Sequence, residues 1–137
     1  MSKHVPTPGN CYEDAMLILT EGRYDEPGSP CRLVHGFPRL TRADGDVPAG
    51  TLYGHAWLER ESATAEIAGV GLIGLDVAVA IDVIKGVVVP RALFYHIGQI
   101  DPAHVARYTK AEAYAMMEEH ATYGPWHAEP PGVVWPE

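Results

Sequence analysis

The chain has 137 residues, a hydrophobic content of 47% and a net charge of −8. Its length suits one domain with a single core, and its 10 scattered Lys and Arg residues argue against a nucleic-acid partner, because phosphate binding needs clustered cations. Charged residues interrupt the most apolar region, 67–89, and the first residues contain no apolar stretch, so we expect neither a transmembrane helix nor a signal peptide. These properties favour a soluble cytoplasmic protein.

The first predicted element is a helix that follows an irregular lead-in, residues 1–9. Asn10 is a good N-cap residue, which places Cys11 at the first helical position, and Gly22 is a plausible C-terminal stop. The apolar residues that recur at helical spacing are Tyr12, Ala15, Met16 and Leu19.

Three segments in the middle of the chain read as strands. The first is "CRLVHGF", residues 31–37. The second, within "GTLYGHAWLER", residues 50–60, alternates Tyr53, His55 and Trp57 onto one face. The third is "LDVAVAIDVIKG", residues 75–86, in which Asp82 shares a face with two alanines.

The connection between the second and third strands, 61–75, is expected to be an extended hairpin. It contains "GVGLIG", which has the form G-x-G-x-x-G. A dinucleotide fingerprint opens a helix, whereas the segment that follows here reads as a strand. We therefore expect a glycine-rich connection and no cofactor.

The C-terminal part of the chain predicts short helices. Pro90 can open one that closes at Gly98, and Asp101 starts another helical turn. The sequence "TKAE", residues 109–112, is a capping box ahead of a third, and a proline-rich tail covers 124–137. The order of elements predicts one α+β domain, residues 1–137, built around an antiparallel sheet.

Three side chains suggest nucleophilic catalysis. A cysteine at a helix start, here Cys11, lies where free N–H groups and the helix dipole stabilise a thiolate. Such a nucleophile needs a base, for which His55 is suited, and the imidazole needs a carboxylate to orient it. Asp82 is the candidate for that carboxylate, because an aspartate within an apolar strand needs a partner.

These residues carry a resemblance to the transglutaminase-like cysteine enzymes of the papain-like fold. "GHAWLE" resembles the family's strand that bears the catalytic His, "CRLVHGF" resembles the strand between nucleophile and base, and "AIDV" resembles the strand with the third residue. The match covers roughly residues 10–85. The later part of the chain resembles small bacterial and phage proteins in which a "HAW" strand is followed by an Asp and a "P-R-x-x-Y-Y" helix.

The resemblance implies an N-terminal helix packed on an antiparallel sheet, with C-terminal helices. It also implies a Cys11–His55–Asp82 triad that transfers an acyl group from a small-molecule, peptide or protein substrate, without metal or cofactor. Asp76 is the alternative third member. The backbone N–H of Cys11 would be the first oxyanion donor. Candidates for the second donor, or for the walls of the cleft, are Asn10, Tyr12, Trp57 and Tyr95.

Other interpretations compete with this one. Cys31 is expected to be a core residue, and two cysteines are too few for a disulfide framework. Asp82 could simply cap the turn before "KG". A zinc site that includes His35 would lack the close ligand spacing of known sites. The main functional alternative is a non-catalytic acidic protein that uses the same scaffold to bind a protein partner.

Overall fold

The computed structural model describes residues 10–61, 63–67, 71–75 and 78–134. The helices are α1 (Cys11–Glu21), α2 (Arg91–Gly98) and α3 (Lys110–His120), with a 3-10 turn at Pro102–His104. The strands are β1 (Cys31–Gly36), β2 (His55–Arg60), β3 (Ala63–Ile67), β4 (Gly71–Leu75), β5 (Val79–Asp82), β6 (Val87–Pro90) and β7 (Ala106–Tyr108).

Five of these strands form an antiparallel sheet in the order β6-β5-β2-β1-β7. The expected α+β fold with an antiparallel sheet is therefore confirmed. β3 and β4 pair separately as an antiparallel hairpin, which confirms the extended connection expected between His55 and Asp82. β2 lies at the centre of the five-stranded sheet, so its side chains are supported from both neighbouring strands.

The alternation of side chains along the strands divides the core into two layers. Leu33, Leu58 and Ile81 face α1 and α3, where they pack against Met16, Leu19 and other apolar residues. On the opposite face, Trp57 and Ala80 pack with residues of α2 and with Ile100. The sheet is thus covered by helices on both faces.

Both long helices begin where the sequence predicts, and α1 also ends at the predicted residue. Gly22 ends α1 in the left-handed conformation, with φ 71°, which costs glycine little because it has no Cβ. Thr109 and Glu112 form the predicted capping box of α3. At the start of α1, Asn10 occupies the predicted N-cap position and Cys11 is the first helical residue, although the Asn10 side chain makes no capping hydrogen bond.

The strand predicted over 75–86 is shorter than expected. β5 ends at Asp82, because the Asp82 carboxylate accepts hydrogen bonds from Ile84 N and Lys85 N and turns the chain. β6 and β7, which have four and three residues, were not predicted. None of the helices in the described part of the chain has the length and apolar composition that crossing a membrane requires.

The C-terminal segment, residues 122–134, packs back onto the sheet. Gly124 and Pro125 are joined by a cis peptide bond. Val134 donates its N–H to Leu52 O at 2.9 Å and accepts from Gly54 N at 3.2 Å. The segment therefore lies beside the residues that immediately precede His55.

Candidate active site

Cys11 and His55 meet although they are distant in sequence. Cys11 is the first residue of α1 and His55 is the first residue of β2, and α1 packs along this strand. The two side chains are close enough for Cys11 to raise the pKa of His55. Cys11 is only 4% exposed, so its sulfur has little contact with solvent.

His55 also contacts Asp82, at the end of the neighbouring strand. Its Nε2 lies 3.4 Å from Asp82 Oδ2, which leaves Nδ1 as the nitrogen that can serve the sulfur. In the register between β2 and β5, Leu58 is opposite Ile81, so Asp82 lies across from Trp57 and diagonal to His55. The three predicted triad side chains are therefore adjacent in the order Cys11, His55, Asp82.

The two oxygens of Asp82 have separate partners. Oδ1 accepts from Ile84 N at 3.1 Å and from Lys85 N at 3.3 Å, whereas Oδ2 faces His55. The turn-capping and imidazole-orienting interpretations of Asp82 are thus compatible, because each uses a different oxygen. The hydrogen bonds from Ile84 N and Lys85 N fix the orientation of the Asp82 carboxylate, and this orientation directs Oδ2 toward the His55 imidazole.

The electrostatics of the site follow from these contacts. Burial alone would lower the pKa of His55, but its hydrogen bonds to Asp82 and Cys11 and their charges raise the pKa to about 9. Burial likewise opposes ionisation of Asp82, yet the contact with His55 brings the pKa of that carboxyl below its usual value. An imidazolium paired with a carboxylate is therefore the dominant form of this pair at neutral pH.

Trp57 and Tyr95 use their polar atoms elsewhere. Trp57 Nε1 donates to Glu59 Oε2 at 2.9 Å, and Tyr95 OH donates to the same oxygen at 2.5 Å. Neither donor is directed toward Cys11. Trp57 instead stacks against His55, with ring centroids 5.9 Å apart and an interplanar angle of 26°. Its place in the site is to support the imidazole ring.

Glu59 is a buried carboxylate for which the sequence analysis proposed no role. It is 2% exposed, and its Oε1 accepts from Arg107 Nε at 2.8 Å, with Arg91 Nη1 at 3.4 Å. The alternation of Tyr53, His55 and Trp57 extends to Glu59 and was the signal that could have identified it. This network holds Trp57 beneath His55.

Asn10 and Tyr12 flank the nucleophile candidate in the chain. Asn10 is exposed, at the solvent side of the helix start. The Tyr12 ring packs edge-on against His35, with centroids 4.8 Å apart, and burial and the nearby Cys11 raise the pKa of its hydroxyl. Tyr12 is therefore directed toward the C-terminal segment.

A cavity of about 380 Å³ opens beside His55. His55, Asp82 and Tyr53 line it, whereas Cys11 does not. The Tyr53 ring lies 5.8 Å from that of His55, and burial, Asp82 and Cys11 together raise the pKa of its hydroxyl. Tyr53 lies on the face of His55, as the strand alternation predicts, but the sequence indicates no role for it.

The remaining candidates lie apart from this arrangement. Cys31 is a core residue, 2% exposed, as expected, and burial raises the pKa of its thiol to about 12. Both cysteines are free thiols. In residues 10–61, 63–67, 71–75 and 78–134, no group of three or more His, Cys, Asp or Glu side chains could hold a metal ion. Asp76 lies outside the described residues.

His35 is a second buried histidine, in an aromatic enclosure. It is fully buried, and neither ring nitrogen has a hydrogen-bond partner within the described residues. Its ring lies against Tyr12, Tyr108 and Trp126, at centroid distances of 4.8, 5.4 and 4.9 Å. Burial, together with the charge of nearby His127, lowers the pKa of His35 to about 3.

We expect His35 to make the fold sensitive to acid. In the unfolded chain its imidazole titrates near pH ~6.5, so the folded state loses stability from there down to its own pKa, by about 1.4 kcal/mol per pH unit. His35→Phe should lower the midpoint of acid unfolding by roughly one pH unit. Circular dichroism against pH measures this midpoint. The control is the exposed His120→Gln, and equal midpoints for wild type and His35→Phe would refute the assignment.

Comparison of the chain with family models, with curated proteins and with solved structures gave no match.

Proposed function

We propose that this protein is a cysteine-dependent acyl-transfer enzyme with Cys11 as nucleophile, His55 as acid and base, and Asp82 as the orienting carboxylate. The observation that supports it best is the adjacency of the three side chains: His55 Nε2 lies 3.4 Å from Asp82 Oδ2, and Cys11 is close enough to raise the pKa of His55. The family resemblance of "GHAWLE" and "CRLVHGF" points to the same roles and to a transglutaminase-like variant of the papain-like fold.

The proposed reaction has two steps, acylation of Cys11 and hydrolysis of the thioester. The Cys11 thiolate attacks the carbonyl carbon of an amide, ester or thioester, and the carbonyl oxygen becomes an oxyanion. The His55 imidazolium gives its proton to the leaving group as the bond to it breaks, and a thioester remains on Cys11. Neutral His55 then takes a proton from water, whose oxygen attacks the thioester, and the acid product and the Cys11 thiolate are released.

The oxyanion would be held by two donors. The backbone N–H of Cys11, at the start of α1, is one, because the first N–H groups of a helix have no intrahelical acceptor. Tyr53 is our candidate for the second, since its ring lies 5.8 Å from that of His55 and its side chain lines the cavity. In this arrangement Asp82 keeps the imidazole in place and stabilises its charged form.

A second candidate function is binding without catalysis. The low exposure of Cys11, 4%, favours it, because a nucleophile must reach its substrate. In that case the acidic domain would engage a partner through its surface and the triad would only stabilise the fold.

Turnover of p-nitrophenyl acetate separates the two functions. We expect release of nitrophenol by the wild type and loss of this activity in Cys11→Ala, because the variant lacks the proposed nucleophile. Cys31→Ala, the matched control, should retain it, since Cys31 lies in the core with a raised thiol pKa. Retention of full activity by folded Cys11→Ala would overturn the proposal.

A further inference from the structure

The cavity beside His55 has an apolar wall that is unusually open to solvent. Its lining includes Val87, Val89, Phe94 and Ile97. Val87 is 42% exposed and Ile97 is 57% exposed, although both are large and apolar. Exposed apolar side chains gathered around a concave site are typical of ligand-binding grooves.

Two cations complete the lining of this cavity. Arg39 and Lys85 both contribute to it and both are exposed. Arg39 donates one N–H to Gly50 O at 2.8 Å, and among the described residues its guanidinium makes no other side-chain hydrogen bond. The carboxylate in the lining, Asp82, is already paired with His55.

The charge of the cavity therefore differs from that of the whole chain. The protein has 18 acidic residues against 10 Lys and Arg, for a net charge of −8. A cavity in which two cations lie beside apolar side chains suits a molecule that is apolar over most of its surface and carries a negative charge. Its volume, about 380 Å³, is near the lower limit for small-molecule sites and would admit a single small ligand or one acyl group.

We propose that this cavity is the specificity site of the enzyme, which binds the apolar acyl part of the substrate while Arg39 and Lys85 pair with an anionic group of the same molecule. This inference rests on the proposed function, because the cavity is lined by His55, the acid and base of that reaction. The substrate class is thus an amphipathic, negatively charged acyl compound.

Two dyes of nearly the same shape test the site directly. The anionic dye is 8-anilinonaphthalene-1-sulfonate, and N-phenyl-1-naphthylamine is its counterpart without the sulfonate. Fluorescence titration of the wild type should show one site that binds both dyes. In the Arg39→Gln, Lys85→Gln double variant, affinity for the sulfonate should fall about five- to tenfold, and affinity for the neutral dye should stay within about twofold.

Two control variants separate the effect of the two cations in the cavity from the effects of net charge and of the apolar wall. Arg32→Gln with Arg42→Gln makes the same change in net charge at exposed positions outside the cavity lining and should leave both affinities unchanged. Ile97→Asp, in the exposed apolar wall, should weaken both dyes. The inference is overturned if the double variant binds the sulfonate as tightly as the wild type, or if Ile97→Asp affects neither dye.

Dye binding does not depend on catalysis, so the two proposals fail separately. Cys11→Ala should bind both dyes like the wild type. If the dyes respond as expected but the wild type does not turn over the ester, the proposed function fails and the ligand site stands. If the ester is turned over through Cys11 but the cations do not affect the sulfonate, the specificity assignment fails and the proposed function stands.

Discussion

Replacement of His55 with alanine should slow acylation of Cys11 about 10²- to 10⁴-fold, the usual contribution of a positioned acid or base. The physical reason is the loss of the group that stabilises the thiolate and protonates the leaving group. At neutral pH the imidazole is charged, since Asp82 and Cys11 raise its pKa to about 9. Without the His55 imidazole, the Cys11 sulfur loses both the cation that stabilises its thiolate and the group that accepts its proton.

The measurement is the pre-steady-state release of nitrophenol from p-nitrophenyl acetate, in which the first turnover reports acylation. The acylation rate should fall less in Asp82→Asn than in His55→Ala, because asparagine keeps the shape of the aspartate beside His55 and removes only its charge. His96→Ala is the matched control, since His96 is exposed on α2 and lies outside the site. A His55→Ala variant that acylates at half the wild-type rate or faster would contradict the assigned role.

Replacement of Glu59 with alanine should destabilise the protein by about 3–5 kcal/mol, because it breaks a buried network of charges. The Glu59 carboxylate accepts hydrogen bonds from Trp57, Tyr95 and Arg107. Its removal leaves the indole N–H of the fully buried Trp57 without an acceptor. The free energy of unfolding, from urea denaturation, measures this loss.

Glu61 provides a matched control for Glu59. It pairs with Arg91 at 2.7 Å, but its side chain is 52% exposed, whereas that of Glu59 is 2% exposed. Glu61→Ala should therefore cost no more than about 1 kcal/mol. Equal losses of unfolding free energy in the two variants would show that burial of the Glu59 network adds nothing to the stability of the protein.

The sequence indicated most of the fold because its signals are local. The helical spacing from Tyr12 to Leu19, the left-handed Gly22 and the capping box at Thr109 each depend on a few neighbouring residues, and these elements are present. β7 was missed because a strand of three residues shows too little alternation to detect. The early end of β5 was missed because it depends on side-chain hydrogen bonds of Asp82.

The candidate site was predictable only in part. Cys11, His55 and Asp82 were selected by residue type and position, and the structure brings them together. Glu59 was not selected, because its partners Tyr95 and Arg107 are distant in sequence and only the packing of α2 and β7 brings them near. The same limit applies to the cavity, whose lining combines residues from the loop after β1, from β6 and from α2.

The low exposure of Cys11 means that the proposed function depends on access to its sulfur. Cys11 is only 4% exposed, and its sulfur must still be reached by a reagent. A small electrophile is therefore the appropriate probe. Cys31, buried to a similar extent at 2% exposure, serves as an internal reference within the same molecule.

The most direct test is the rate at which iodoacetamide alkylates each cysteine of the folded protein at pH 7, followed by mass spectrometry of the peptides. We expect Cys11 to be labelled at least about tenfold faster than Cys31, and His55→Ala to remove this difference, because the thiolate is the reactive form. In denaturant the two should react alike. Native labelling of Cys11 no faster than that of Cys31, or a fast Cys11 rate that His55→Ala leaves unchanged, would contradict a nucleophile activated by His55.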